Sequence, residues 1–149
     1  FEIMKEFQFF FPESIGWQNT DHADVGALIR LYGHLNFVQL GGERSALLMQ
    51  SSGVGNCINM LSIIQETRSP LLMLVTMRGE WGEFNPWQIP MGQGTAKALE
   101  DAGMIVYHVD DEDDLEDTIY AASQLAFNSY RPVAVLIGQR IIGFKDWRK

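Results

Sequence analysis

Three stretches of the sequence concentrate side chains able to do chemistry. The first is Gln50-Ser51-Ser52-Gly53-Val54-Gly55-Asn56. Glycines at this spacing let a backbone turn sharply and let a ligand come close to it. The amides that open a following helix favour an electronegative group. Gly53-Val54-Gly55 is followed by Asn56-Cys57 rather than x-x-Gly, so it is not the dinucleotide fingerprint. No Lys-Ser/Thr pair follows, so it is not a phosphate loop either. A tight strand-to-helix turn and a ligand-binding turn both remain open on spacing alone.

The second stretch runs from Arg78-Gly79-Glu80-Trp81-Gly82-Glu83-Phe84 through Trp87-Gln88-Ile89-Pro90 to Gln93. Two tryptophans, a phenylalanine, an arginine and two carboxylates exceed what a connector needs, and long loops in compact domains are usually functional. The planar fork of Arg78 suits an anionic substrate. The aromatics suit a subunit interface equally well.

The third stretch is acidic: Asp110-Asp111-Glu112-Asp113-Asp114 with Glu116 and Asp117. It lacks the glycine and terminal glutamate of a calcium loop, whereas carboxylates at a helix start are favoured by the macrodipole. A solvated helix start is the expectation. His22, His34 and His108 fall at no metal-ligand spacing, so no metal site is expected within this chain. Cys57 has no local histidine partner and reads as a buried small residue. Ser51 and Ser52 lack the Gly-x-Ser-x-Gly elbow of hydrolases.

The elements that must position these groups alternate. Ser45 to Met49, Leu71 to Val75, Met104 to Tyr107 and Val133 to Ile137 are short apolar runs, the mark of strands buried on both faces. Between them, Asn56 to Arg68 (apolar at Ile58, Leu61, Ile63 and Ile64), Thr95 to Ala102, and Asp110 to Tyr130 have helical patterns. The last is predicted to be the longest helix, burying Leu115, Ile119, Ala122, Leu125 and Ala126. This order predicts an α/β fold: a single doubly wound domain over 1–149, best supported over 41–143, with a mainly parallel sheet, helices on both faces and right-handed crossovers. Both glycine-bearing stretches then leave carboxyl ends of strands, where open α/β sheets bind ligands. Earlier in the chain, Phe1 to Phe7 and Asp24 to Tyr32 suit helices, and Phe9-Phe10-Phe11 and Asn36 to Leu40 suit strands.

Composition narrows the classes. The chain has 149 residues, 46% of them hydrophobic, which is enough for a core and excludes disorder. No apolar run approaches the roughly 18 residues of a membrane span. Eleven basic against nineteen acidic residues, a net charge of −8, argue against nucleic-acid binding. One cysteine fits a reducing cytoplasm. Phe1 in place of a methionine, with no signal peptide after it, predicts that the natural start lies upstream.

Gly41-Gly42-Glu43-Arg44, Ser45 to Asn56, Pro70 to Met73, Arg78-Gly79-Glu80 and Gln88-Ile89-Pro90-Met91-Gly92 together resemble the sulfopyruvate decarboxylase alpha subunit and the matching N-terminal part of phosphonopyruvate decarboxylase. The resemblance covers about two thirds of the chain, from Gly41 to about Gly143. It implies the pyrimidine-binding domain of a thiamine diphosphate enzyme, a cytoplasmic oligomer acting on sulfopyruvate or phosphonopyruvate. A separate beta subunit would bind the diphosphate and hold Mg2+ for the most part, so the chain alone is expected to be inactive. The cofactor would supply the electron sink for decarboxylation. By the same resemblance, Gln50, Ser51, Ser52, Gly53, Gly55 and Asn56 would line the cofactor site, and Arg78, Glu80 and Gln88 would bind substrate. Asp21-His22-Ala23 loosely matches a family stretch, which makes His22 a minor site candidate.

One departure stands out. The family places a cofactor-activating glutamate in a segment ahead of this region, whereas Leu40 runs directly into Gly41 here. The sequence reads as though that strand-to-helix connection is missing. Glu43 is no substitute, because it precedes a strand and belongs at the opposite edge. The competing expectation is therefore a non-catalytic binding or scaffold domain of the same fold.

Overall fold

The computed structural model describes residues 8–9, 41–42 and 44–143. The strands are β1 (Gln8–Phe9), β2 (Ser45–Gln50), β3 (Leu71–Thr76), β4 (Ile105–Val109) and β5 (Pro132–Ile137). The helices are α1 (Ser51–Thr67), α2 (Ile89–Asp101), α3 (Leu115–Ser129) and α4 (Gln139–Ile142). All strand pairs are parallel, in the order β1-β2-β3-β5-β4. The α/β architecture with a parallel sheet is as the sequence predicts.

Alternation along the central strands divides the core in two. Leu71, Met73 and Val75 of β3 face Val54, Leu61 and Ile64 of α1 and Leu99 of α2. Leu72 and Leu74 face the other way, with Val133 and Val135 of β5 and with Ala122 and Ala126 of α3. Helices therefore cover both faces. β2–α1–β3 and β3–α2–β4 advance across the sheet with their helices on one face. β4–α3–β5 steps back with its helix on the other, so all three crossovers share one hand.

The helices depart from expectation in extent and in face. α1 begins at Ser51, directly after β2, so the predicted turn from Gln50 to Asn56 is the first turn and a half of a helix. Gly53 and Gly55 serve no turn, since neither has a positive φ. From that earlier start the buried stripe is Val54, Cys57, Leu61 and Ile64, while Ile58 and Ile63 are 39% and 44% exposed. α1, at 17 residues, is the longest helix among the described residues; α3 has 15. α2 begins at Ile89 rather than Thr95, because Pro90 sits in its first turn, where a missing N–H costs nothing. The acidic run forms a 3₁₀ turn at Glu112–Asp114 ahead of α3, all of it exposed, with Asp111 Oδ1 accepting the Asp113 N–H at 3.1 Å. α3 buries the stripe its spacing predicts. Expectations at 1–7 and 10–40 and at Glu43, His22 among them, lie outside the described residues.

Candidate functional site at the divergence of two strands

β3 and β5 stay paired to their ends, and Met77 N–H extends the ladder to Ile137 O at 2.9 Å. The chains then part. The one after Met77 leads to α2 on one face, whereas α4, following Gly138, sends Ile141 into the core of the other face. This is the topological switch point of the sheet, the place where open α/β folds hold ligands.

A dense polar network occupies it. Arg78 donates to Glu83 twice, Nε to Oε2 at 2.6 Å and Nη2 to Oε1 at 2.8 Å. The Glu83 carboxylate also accepts the N–H groups of Gly79 and Asn85 at 3.3 and 3.0 Å, and Gln139 Nε2 at 3.2 Å. Its side chain is only 3% exposed, and that of Arg78 is 14% exposed. The Arg78 guanidinium, assisted by these amides, holds the Glu83 carboxyl at about 2, below the ordinary 4.5. Gln139 Oε1 accepts the N–H groups of both Glu80 and Trp81 at 3.1 Å, and Gln139 N–H donates to Glu80 Oε2 at 3.3 Å. Arg140 places its guanidinium 5.2 Å from the centre of the Trp81 ring.

The loop after β3 lies directly on the start of α2. Gly79 has φ +79°, and a Cβ there would stand 2.5 Å from Gln88 O. A Cβ on Gly92 would stand 1.8 Å from Arg78 O. Only glycine permits this approach. Gln88, which opens α2, is buried at 3% exposure, and its Oε1 has no hydrogen-bond partner. At the adjoining start of α1, Ser51 is buried and its Oγ accepts Arg78 N–H at 3.0 Å. Ser52 Oγ donates to Gln50 Oε1 at 3.4 Å, and no side chain caps the helix. Gly53 is buried, whereas Gly55 and Asn56 are exposed.

The structure thus gathers Gln50, Ser51, Ser52, Arg78, Glu80 and Gln88 at one edge of the sheet. It adds Glu83, one of the two carboxylates of the aromatic loop, and two residues that sequence reasoning passed over, Gln139 and Arg140. The last two lie within three residues of the carboxyl end of β5, and that position was the available signal. Trp81, Phe84 and Trp87 are 39%, 40% and 70% exposed. Cys57 is buried, donates to Val54 O at 3.3 Å, and has its thiol pushed up to about 11 by burial. No cluster of three His, Cys, Asp or Glu side chains fit for a metal occurs among the described residues.

Over 99 residues the chain is 40% identical to a Methanococcus maripaludis protein named sulfopyruvate decarboxylase subunit alpha, covering 66% of this chain and 59% of the relative. A Methanocaldococcus jannaschii protein of the same name is 35% identical over 98 residues, covering 65% of this chain and 58% of the relative. The chain is a relative of the sulfopyruvate decarboxylase alpha subunits. It spans somewhat under two thirds of the length of these alpha-subunit relatives. A Methanosarcina acetivorans protein named sulfopyruvate decarboxylase is 30% identical over 105 residues, which are 70% of this chain and 27% of that protein. No protein-family model matches the chain. Among the described residues no helix is long and apolar enough to cross a membrane.

Proposed function

We propose that this chain is a subunit of a thiamine diphosphate-dependent 2-oxo acid decarboxylase acting on sulfopyruvate or phosphonopyruvate. It provides the pyrimidine side of the cofactor site, and a beta-type partner subunit binds the diphosphate and most of the Mg2+ coordination. The observation that carries this reading is the 40% identity over 99 residues to a protein named sulfopyruvate decarboxylase subunit alpha. A name containing "subunit alpha" also supports the existence of a partner.

The described residues fit such a cofactor on one specific ground. A buried amide with an unmet hydrogen bond costs about 1–3 kcal/mol, and Gln88 is such a group at the switch-point edge. A heteroaromatic ring with donors and acceptors on its rim would meet that need. The open start of α1 offers Gln50, Ser51, Ser52, Gly53, Gly55 and Asn56 beside it. When bound, thiamine diphosphate supplies the electron sink that loss of CO2 from a 2-oxo acid requires. This chain's part is orientation. Gln88 and the α1 start hold the ring, while Arg78 in its pair with Glu83, together with Glu80, forms the wall toward the substrate. The activating glutamate expected ahead of Gly41 has no counterpart in the sequence, where Leu40 runs directly into Gly41, so no residue of this chain is given that role.

The test is turnover of sulfopyruvate and of phosphonopyruvate by the full-length protein, with thiamine diphosphate and Mg2+, with and without a beta-type partner. Decarboxylation of one of these acids only in the presence of the partner is expected. Turnover by this chain alone would contradict the division of labour. No turnover of either acid with the partner bound would favour a non-catalytic scaffold of the same fold.

A further inference from the structure

Arg78 is the cation that the sequence offers for an anionic substrate, but both arms of its fork that the structure records face Glu83. A sulfonated or phosphonated 2-oxo acid bears an anionic tail as well as its carboxylate, and it approaches a chain of net charge −8. Such a ligand needs a cation at the switch point that is not already matched by a carboxylate.

Arg140 meets that need. It stands on α4, three residues beyond the end of β5. It is exposed, and among the described residues it forms no ion pair. Its guanidinium lies over the Trp81 ring at 5.2 Å, an arrangement that attracts the cation and fixes its plane without neutralising it. The two members of the stack share one mount. Gln139, the residue before Arg140, accepts the Trp81 N–H at 3.1 Å and donates its own N–H to Glu80. A guanidinium ordered before the ligand arrives loses less freedom on binding, and its fork matches a tetrahedral oxyanion with two parallel hydrogen bonds.

We infer that Arg140, held on Trp81, is the residue that recognises the anionic tail of the substrate and sets the preference for a sulfonate or phosphonate over a 2-oxo acid without a charged tail. This inference rests on the decarboxylase reading above.

The experiment measures binding of sulfopyruvate and of pyruvate, which lacks the charged tail, by calorimetric titration of the full-length protein with its partner subunit in the absence of thiamine diphosphate, so that neither acid is consumed. Wild type is compared with Arg140→Gln and Arg140→Lys, and turnover of sulfopyruvate and of phosphonopyruvate by the cofactor-loaded wild-type complex is followed in parallel. Loss of a charge-assisted pair predicts sulfopyruvate affinity weakened by roughly ten- to a hundredfold in Arg140→Gln. Pyruvate affinity and the melting temperature should be unchanged, and Arg140→Lys should fall between. If the wild-type complex turns over sulfopyruvate while Arg140→Gln binds it normally, the inference is overturned and the decarboxylase reading stands. Equal weakening for both acids, or loss of the partner subunit, overturns it in the same way and marks Arg140 as an interface residue. If the wild-type complex does not turn over sulfopyruvate or phosphonopyruvate, the decarboxylase reading fails, and this inference fails with it.

Discussion

Replacing Glu83 with Gln is the most informative single perturbation of the switch-point network. A carboxyl held at about 2 rather than 4.5 stabilises the folded state by at most about 3 kcal/mol, at roughly 1.4 kcal/mol per pH unit. The pair sits at the solvent edge of the sheet, with the Arg78 side chain 14% exposed, and screening reduces this to about 1–2 kcal/mol. For a chain of this size, that lowers the melting temperature by roughly 3–8 °C at neutral pH. The pH dependence separates the ionised carboxylate from mere packing. The folded carboxyl lies below its unfolded value, so its contribution is fully present above about pH 4.5 and is lost as the pH falls from there through about 2. The deficit of Glu83→Gln, read from urea unfolding of both proteins, should therefore shrink by more than half between about pH 6 and about pH 3. A variant as stable as wild type at neutral pH, or a deficit independent of pH, would refute the reasoning.

Gln88→Leu should leave urea stability unchanged or raise it by up to about 1–3 kcal/mol, since it removes a buried acceptor that has no partner. The same variant should lose thiamine diphosphate affinity in the partnered complex, as read by calorimetric titration. Gly92→Ala drives a Cβ against the Arg78 carbonyl and should cost about 1–3 kcal/mol on thermal unfolding. Gly55→Ala meets only the flexible tip of Met91, and a gain in helix propensity of about 1 kcal/mol offsets that contact, so its melting temperature should stay near wild type. With its thiol at about 11 and its side chain buried, Cys57 should resist a disulfide reagent at neutral pH in the folded protein and react once urea unfolds it.

The sheet was legible because β2, β3 and β5 are continuous apolar runs, a pattern that only strands covered on both faces require. The helix starts were not legible. Pro90, Gly92 and Gly94 look like loop chemistry, yet Pro90 occupies the first turn of α2 and Gly92 is there to admit the Arg78 backbone. Likewise Gly53 and Gly55 suggested a turn, but no turn exists between Gln50 and Ser51. In both helices the glycines answer a tertiary demand, or none that is visible, and local spacing cannot distinguish these. The Arg78–Glu83 pair was hidden for a related reason. Its five-residue separation fits no helical or strand period, and its third side-chain partner, Gln139, is 56 residues further along the chain.

The clustering of polar side chains at this edge follows from topology before any ligand is considered. Where β3 and β5 diverge, the backbone N–H groups of Gly79, Glu80, Trp81 and Asn85 leave the sheet and find no ladder partner, and near a core such groups must be matched. Glu83 accepts two of them and Gln139 accepts the other two. The Glu83 charge in turn requires a cation, which Arg78 supplies. Arg78, Glu83 and Gln139 therefore have a structural reason to be present that is complete without a substrate. Gln88 and Arg140 do not: one is a buried amide lacking a partner for its oxygen, and the other is a stacked cation without a carboxylate among the described residues. Residues whose polar groups the fold leaves unmatched are the ones through which a ligand gains binding energy, so under the function proposed above recognition at this edge rests on Gln88 and Arg140, with the Arg78–Glu83 pair as a structural frame beside them.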